Sequence, residues 1–166
     1  MSFLLDERIS STCFSLGNGP VSTILLKNNA DYPWLILVPR IENVQELEQL
    51  PSTARYLLID EISLLSNVMQ NYFKPNKLNI GTLGNIVSQL HIHLVARFSH
   101  DKLWPHSVWQ AAEATPYDKQ RLEPIVKYLS NQVKLLFPEN SLDLSSEFFK
   151  IASVEAKSNE KNTEKA

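Results

Sequence analysis

Residues 88–98, SQLHIHLVARF, carry two histidines, His91 and His93, one residue apart in an aliphatic run, with Gln89 ahead of them and Arg97 behind. In an extended chain alternate side chains share a face. Gln89, His91, His93, Val95 and Arg97 would then point one way, and Leu90, Ile92, Leu94, Ala96 and Phe98 the other. The second set is purely apolar and suits a packed face. The first gathers two imidazoles and a guanidinium, which repel one another when charged unless an anion or metal sits between them. Three readings compete on the residues alone. One is a solvated sheet face without chemistry. Another is a metal site, for which His100, Asp101 and His106 are the nearest further ligands but show no compact spacing. The third is phosphate chemistry, with one neutral imidazole as nucleophile and the other donating to phosphate oxygens. Histidine suits that task because its reference pKa of about 6.5 leaves a sizeable neutral fraction at pH 7.

The elements that must position these residues follow from periodicity. VSTILLKN (21–28) alternates and is β-branched, and WLILVP (34–39) is a short continuous apolar run, so both read as strands. The turn residues NADYP between them predict an antiparallel hairpin. From Ser52 to Tyr72 apolar residues recur at helical spacing (Ala54, Leu57, Leu58, Ile62, Leu65, Val68, Met69), and Pro75 stops the helix. KLNIGTLGNI (77–86) reads as a strand running into a glycine loop, and residues 88–98 as the next strand. A second helical stripe follows Pro116 through Leu122, Ile125, Val126, Leu129, Val133 and Leu136, with Pro124 at its start or at a kink. Strand pairs around one long helix predict an α+β domain with a mainly antiparallel sheet. We assign residues 1–150 to that single domain and 151–166 to a charged tail with little to bury.

Composition narrows the function classes. A net charge of −2 gives no electrostatic argument for nucleic acid or membrane as partner, while a local basic cluster could still hold a small anion. Cys13 is the only cysteine, which excludes an intrachain disulfide and fits a reducing, cytoplasmic setting. The first residues, MSFLLDERIS, resemble neither a signal peptide nor a membrane anchor, and no apolar run approaches the roughly 20 residues a bilayer span needs.

NIGTLGNIVSQLHIHLVAR (79–97) resembles the histidine-triad (HIT) superfamily, with its H-x-H-x-H strand behind a glycine-rich approach; Asn79, Gly81, Gly84, Val87, His91 and His93 fall in register. WLILVPR upstream is similar to the family's hydrophobic strand, and RFSHDKLWPHSVW downstream resembles a bacterial branch with R-F-x-x-D-x-x-W-P. The likeness spans roughly residues 20–110. It implies a five-stranded antiparallel sheet with one long helix and a C-terminal helix, commonly paired as a homodimer. It also implies a nucleotidyl hydrolase or transferase acting at an α-phosphate, on a dinucleoside polyphosphate or nucleoside phosphoramidate, with no cofactor and no metal. His91 matches the nucleophile that forms a nucleotidyl-histidine intermediate, and His93 the last histidine, which contacts the phosphate. Asn79, Gly84 and its loop amides, and Asn85 match phosphate-side positions; Asn28, or Asn29, matches a ribose contact.

The chain departs from the family pattern twice: Gln89 stands for the first histidine and Asn85 for the glutamine of G-Q-x-V. Gln89 can orient through hydrogen bonds but cannot titrate. The alternative function is therefore a nucleotide-binding protein with weak or no turnover. Arg97 and Arg40 are the basic candidates for a phosphate, with Lys27 ranked behind them. Trp104 and Trp109 are read as pocket wall, core or interface, and His100 and His106 as solvated loop residues.

Overall fold

The structure is a computed structural model describing residues 3–110 and 114–138. The expected tail, 151–166, and the last part of the expected domain, 139–150, lie outside the described residues. Strands β1 (Cys13–Asn18), β2 (Ser22–Lys27), β3 (Trp34–Pro39), β4 (Lys77–Gly81) and β5 (Ile92–Arg97) form one sheet in the order β1-β2-β3-β5-β4. Every pairing is antiparallel. A one-turn helix α1 (Glu7–Ser10) precedes the sheet, α2 (Ser52–Phe73) joins β3 to β4, and α3 (Lys119–Leu136) follows β5. This is the α+β domain the sequence predicts, five strands with a long and a C-terminal helix.

Alternation decides what each face meets. Ile24 and Leu26, Leu35 and Leu37, and Ile92, Leu94 and Ala96 point to one side and pack with Leu58, Leu65 and Met69 of α2 and Leu129 and Val133 of α3. Their neighbours Leu25, Trp34, Ile36, Val38 and Val95 point to the other side, where they join Ile9, Val87 and Val108 in a second cluster. All six residues of β3 are buried, which is why its sequence is a continuous apolar run and not an alternation.

The helices begin and end for local reasons. The backbone of Lys74 turns left-handed (φ 53°) ahead of Pro75, closing α2. Asp118 caps α3 by accepting from the Arg121 N–H at 2.9 Å. Pro124 lies inside α3 rather than at its start, and the helix continues past it. β1 is absent from the sequence-based reading. It carries a bulge between Ser15 and Gly17, and Gly17 has φ +133° with a would-be Cβ 3.0 Å from Val133 Cγ1. Glycine there serves both the backbone and the close approach of α3.

The histidine strand is shorter than 88–98. Pairing begins only at Ile92, because the Leu90 N–H donates to the Val44 carbonyl at 2.9 Å instead of to the sheet.

Candidate active site

The two imidazoles lie on the side of the sheet away from α2 and α3. His93 belongs to β5, opposite Ile36 of β3 and Gly81 of β4; His91 immediately precedes the strand. Their ring centroids are 4.7 Å apart and nearly perpendicular. Each is only 8% exposed.

Their hydrogen bonds fix which nitrogen of each ring carries a proton. His91 Nδ1 lies 2.7 Å from the Gln89 carbonyl oxygen, which can only accept. Nδ1 therefore bears the hydrogen, and the neutral ring keeps its lone pair on Nε2. At His93 the logic reverses. The Trp34 indole N–H, which can only donate, meets His93 Nδ1 at 3.0 Å, so the neutral His93 carries its hydrogen on Nε2. Burial, then the neighbouring His91 and Lys27, pull the His93 pKa down to about 3, so this ring is neutral at physiological pH. One ring thus offers a lone pair and its neighbour a donor.

Aromatic packing holds His93 in place. Its centroid lies 5.3 Å from Trp34 and 5.4 Å from Trp109, and the two indoles are 5.6 Å apart. Gly81, paired with His93, makes room: a Cβ there would sit 3.2 Å from Trp109 Cζ2.

In front of the rings opens a cavity of about 430 Å³, within the usual range for small-molecule sites. Arg8, Ile9 and Thr12 bound it on the N-terminal side, Lys27, Trp34 and Ile36 on the sheet, the loop 83–87 above, and Trp109 at the side. Gly84, with φ +73°, and Asn85 lie in that loop and so face the cavity.

Other expected contacts are engaged elsewhere. Arg97 is 1% exposed and its guanidinium is engaged by protein through four hydrogen bonds: two to the Asp101 carboxylate (2.7 and 2.9 Å), one to Asn79 Oδ1 (2.8 Å) and one to the His106 carbonyl (3.0 Å). Arg97 and Asn79 therefore tie the 98–110 loop to β4, and neither lines the cavity. Asn28 Oδ1 accepts from the Tyr117 N–H at 2.8 Å, and Asn29 Oδ1 from the Asp31 N–H at 3.0 Å; both are turned to the chain's own backbone. Gln89 does not join the histidines. Its Nε2 donates to the Leu4 carbonyl (2.8 Å) and its Oε1 accepts from the Asp6 N–H (3.0 Å), anchoring the N-terminal segment. Only its backbone carbonyl serves the site, because residue 89 precedes the paired strand and escapes its alternation.

The ranking of basic residues is inverted as well. Arg40 donates to the carbonyls of Gly19, Pro20 and Ser22, closing the β1–β2 turn, while Lys27 faces the cavity. Arg8 is a cavity residue that sequence reasoning missed; no local pattern links a one-turn helix to a loop about eighty residues later. His100 and His106 are exposed, as expected of loop residues. Among the described residues no three His, Cys, Asp or Glu side chains converge as a metal site would require.

Comparison with known proteins agrees with this geometry. The HIT domain model matches residues 10–100. A histidine triad protein from Marinobacter aquaeolei is 34% identical, covers 82% of this chain and 99% of its own, and superimposes with a TM-score of 0.78. Histidine triad proteins from Bradyrhizobium japonicum (33% identity, 80% and 99% coverage, TM-score 0.77) and Sinorhizobium meliloti (32%, 78% and 96%, 0.75) are similarly close. No curated protein matches the chain. With more than half the chain matched by the domain model and an antiparallel sheet shared with these structures, the protein belongs to the HIT family.

Proposed function

We propose that the protein is a nucleotidyl hydrolase or transferase of the Q-x-H-x-H type, cleaving a nucleotide derivative at its α-phosphate through an intermediate on His91. The observation that carries this reading is the pair of opposed tautomers at the cavity wall. His91 Nε2 would attack phosphorus, forming an N–P bond as the P–O bond breaks and its electron pair leaves with the departing oxygen. The ring then carries positive charge, which the Gln89 carbonyl stabilises through the Nδ1–H. His93 Nε2–H and amides of the 83–87 loop would donate to the phosphoryl oxygens as they gain charge. Water next attacks phosphorus, the N–P bond breaks, and the proton released goes to solvent.

Among the described residues, the titratable side chains lining the cavity are Arg8, Lys27, His91 and His93. A phosphoanhydride, whose phosphate departs without a proton, asks no acid of them, whereas the amine of a phosphoramidate needs one as it leaves. Asn85 and Gly84 belong to the phosphate side of this reading. Asn28, Asn79 and Arg97 enter it as supports for the loops around the site.

Incubation with a dinucleoside polyphosphate should release a nucleoside monophosphate, and mass spectrometry of protein quenched in alkaline denaturant, where the acid-labile N–P bond survives, should find the nucleotidyl adduct on His91. His91→Ala should lower turnover by roughly 10³-fold or more; full activity in that variant would refute the assignment. The second reading, a nucleotide binder with little turnover, is favoured by the Gln89 side chain standing outside the site. Calorimetric binding with no product after long incubation would select it. Pairing into a homodimer belongs to the same family-based reading, and sedimentation measures it.

A further inference from the structure

Gln89 touches two parts of the site at once, although its side chain does not enter the cavity. The N-terminal wall of the cavity, Arg8, Ile9 and Thr12, belongs to a segment that precedes the sheet. Ile9 is buried there, with Phe3 and Leu5 half-buried beside it. Among the described residues, three hydrogen bonds join residues 3–10 to the rest of the protein. Gln89 makes two of them, and the Arg8 guanidinium makes the third, to the Ile86 carbonyl. Residues 4–7 and 10 also bound a second opening, a groove of about 530 Å³ whose other wall is 43–45, 88 and 89. The segment thus stands between two openings, and the Gln89 amide is its main polar tie. The Leu4 carbonyl can only accept and the Asp6 N–H can only donate, so the positions of Gln89 Nε2 and Oε1 are unambiguous. The amide bonds residues 4 and 6 as a backbone residue of a parallel strand would. An imidazole could not do so, because its two nitrogens face away from each other across the ring.

The carbonyl of the same residue holds His91 Nδ1 at 2.7 Å. Pairing of β5 with β3 starts only at Ile92, so the sheet does not orient that carbonyl. Its direction is set by the ties on either side: the Leu90 N–H on the Val44 carbonyl, and the Gln89 side chain on residues 4 and 6. We propose that Gln89 is a positioning residue. By pairing with residues 4 and 6, its side chain seats the N-terminal wall of the cavity and turns its own carbonyl onto His91. Closure of the wall and the tautomer of the nucleophile are then set together. This rests on His91 being the nucleophile of the proposed function. With the pairing broken, the wall is released and the Nδ1–H loses its fixed acceptor. The neutral ring then divides between tautomers, and only part of the molecules present the Nε2 lone pair.

The test compares the full-length wild type with Gln89→Met, Gln89→Glu and Gln89→His in three measurements, two of which need no substrate. Nitrogen NMR at about pH 8, above the reference histidine pKa, should show His91 as the Nδ1–H tautomer in the wild type and as a mixture in Gln89→Met. Trypsin cleavage after Arg8, inside the segment, should quicken about tenfold or more in that variant, the weight of two lost neutral hydrogen bonds. With a dinucleoside polyphosphate, its kcat should fall about tenfold and its KM should rise as the wall loosens. Gln89→Glu keeps the shape and the acceptor for Asp6 but loses the donor to Leu4, so it should fall between the wild type and Gln89→Met in all three. Gln89→His should behave as Gln89→Met. Unless cleavage and tautomer change together in Gln89→Met, the coupling is overturned; faster cleavage with the tautomer and kcat unchanged reduces Gln89 to an anchor. A Gln89→His variant as active as the wild type would overturn it too. If the wild type turns over no nucleotide, the nucleophile assignment falls, while tautomer and cleavage still decide whether Gln89 couples the wall to His91.

Discussion

The two faces of the sheet are both buried, but by different means. On one side, α2 and α3 cover aliphatic side chains, and the contacts there are non-directional. On the other, a one-turn helix, a glycine loop and the 98–110 loop cover the sheet, and the residues they meet include His93, Lys27 and Arg97. Loops without long helices cannot exclude water by area alone, so position on this side depends on hydrogen bonds: Trp34 to His93, Gln89 to His91 and to the N-terminal segment, Arg97 to Asp101 and Asn79. The helix side secures the fold; the loop side sets geometry. Glu61 is the exception on the helix side, a carboxylate 1% exposed whose Oε1 accepts from the Val21 and Ser22 N–H groups.

Substitutions on opposite faces should therefore separate stability from catalysis. The largest effect is expected where the two roles meet. Arg97→Met would leave the buried Asp101 carboxylate without its guanidinium and free the loop that carries Trp109. We expect a loss of about 3–5 kcal/mol in urea denaturation, together with reduced turnover in the fraction still folded. A stable variant with normal kinetics would show that other contacts hold the loop. On the helix side, Leu58→Ala empties a fully buried position of α2 and should cost about 2–5 kcal/mol with KM and kcat unchanged below the transition. A kinetic defect there would break the separation of the faces.

Trp34→Phe acts the other way. It removes the donor to His93 Nδ1 and should lower kcat by about tenfold with a smaller stability loss. Nitrogen NMR should find His93 as the Nε2–H tautomer in the wild type and a mixture in the variant; an unchanged tautomer would detach Trp34 from the mechanism. The pH dependence follows from the same burial. With the His93 pKa lowered from 6.5 to about 3, the unfolded chain binds a proton that the folded chain refuses, so stability should fall as pH drops through that window. Glu61 has the opposite sign. Burial raises its pKa, so its contribution is present below the usual carboxylate pKa and is lost as pH rises through the raised value. Glu61→Gln keeps an acceptor for Val21 and Ser22 and should show the smallest change, within about 1 kcal/mol at pH 5, with its urea midpoint gaining on the wild type by pH 8. A constant difference between the two across that range would show that Glu61 does not titrate in the fold.

Much of this architecture is legible in the chain because strand and helix periods are local. The run Trp34–Pro39 matches its strand residue for residue, and the stripe from Ala54 to Met69 marks the buried side of α2. Glu61 stands within that stripe, but nothing nearby in the chain announces the backbone donors of the β1–β2 turn that its carboxylate meets. β1 is illegible for a related reason: CFSLGN contains a serine and a glycine whose fit depends on a bulge and on Val133 of α3. Polar residues are harder still. Asn79, Arg97 and Arg40 rank ahead of Lys27 as phosphate contacts in one dimension, and only the partners met in space separate those three from the lysine at the cavity.

By itself the sequence determined the α+β layout and the placing of His91 and His93 on a common side of the sheet, because alternation is a property of the extended backbone. It also named the two rings on which the proposed chemistry rests. Tertiary structure decided the tautomer of each ring, the departure of Gln89 from the histidines and the choice of Lys27 over Arg97 as a cavity cation. Those outcomes depend on hydrogen-bond partners far off in the chain, such as Trp34, 59 residues from His93, and Leu4, 85 from Gln89. A donor has no direction until folding brings it an acceptor.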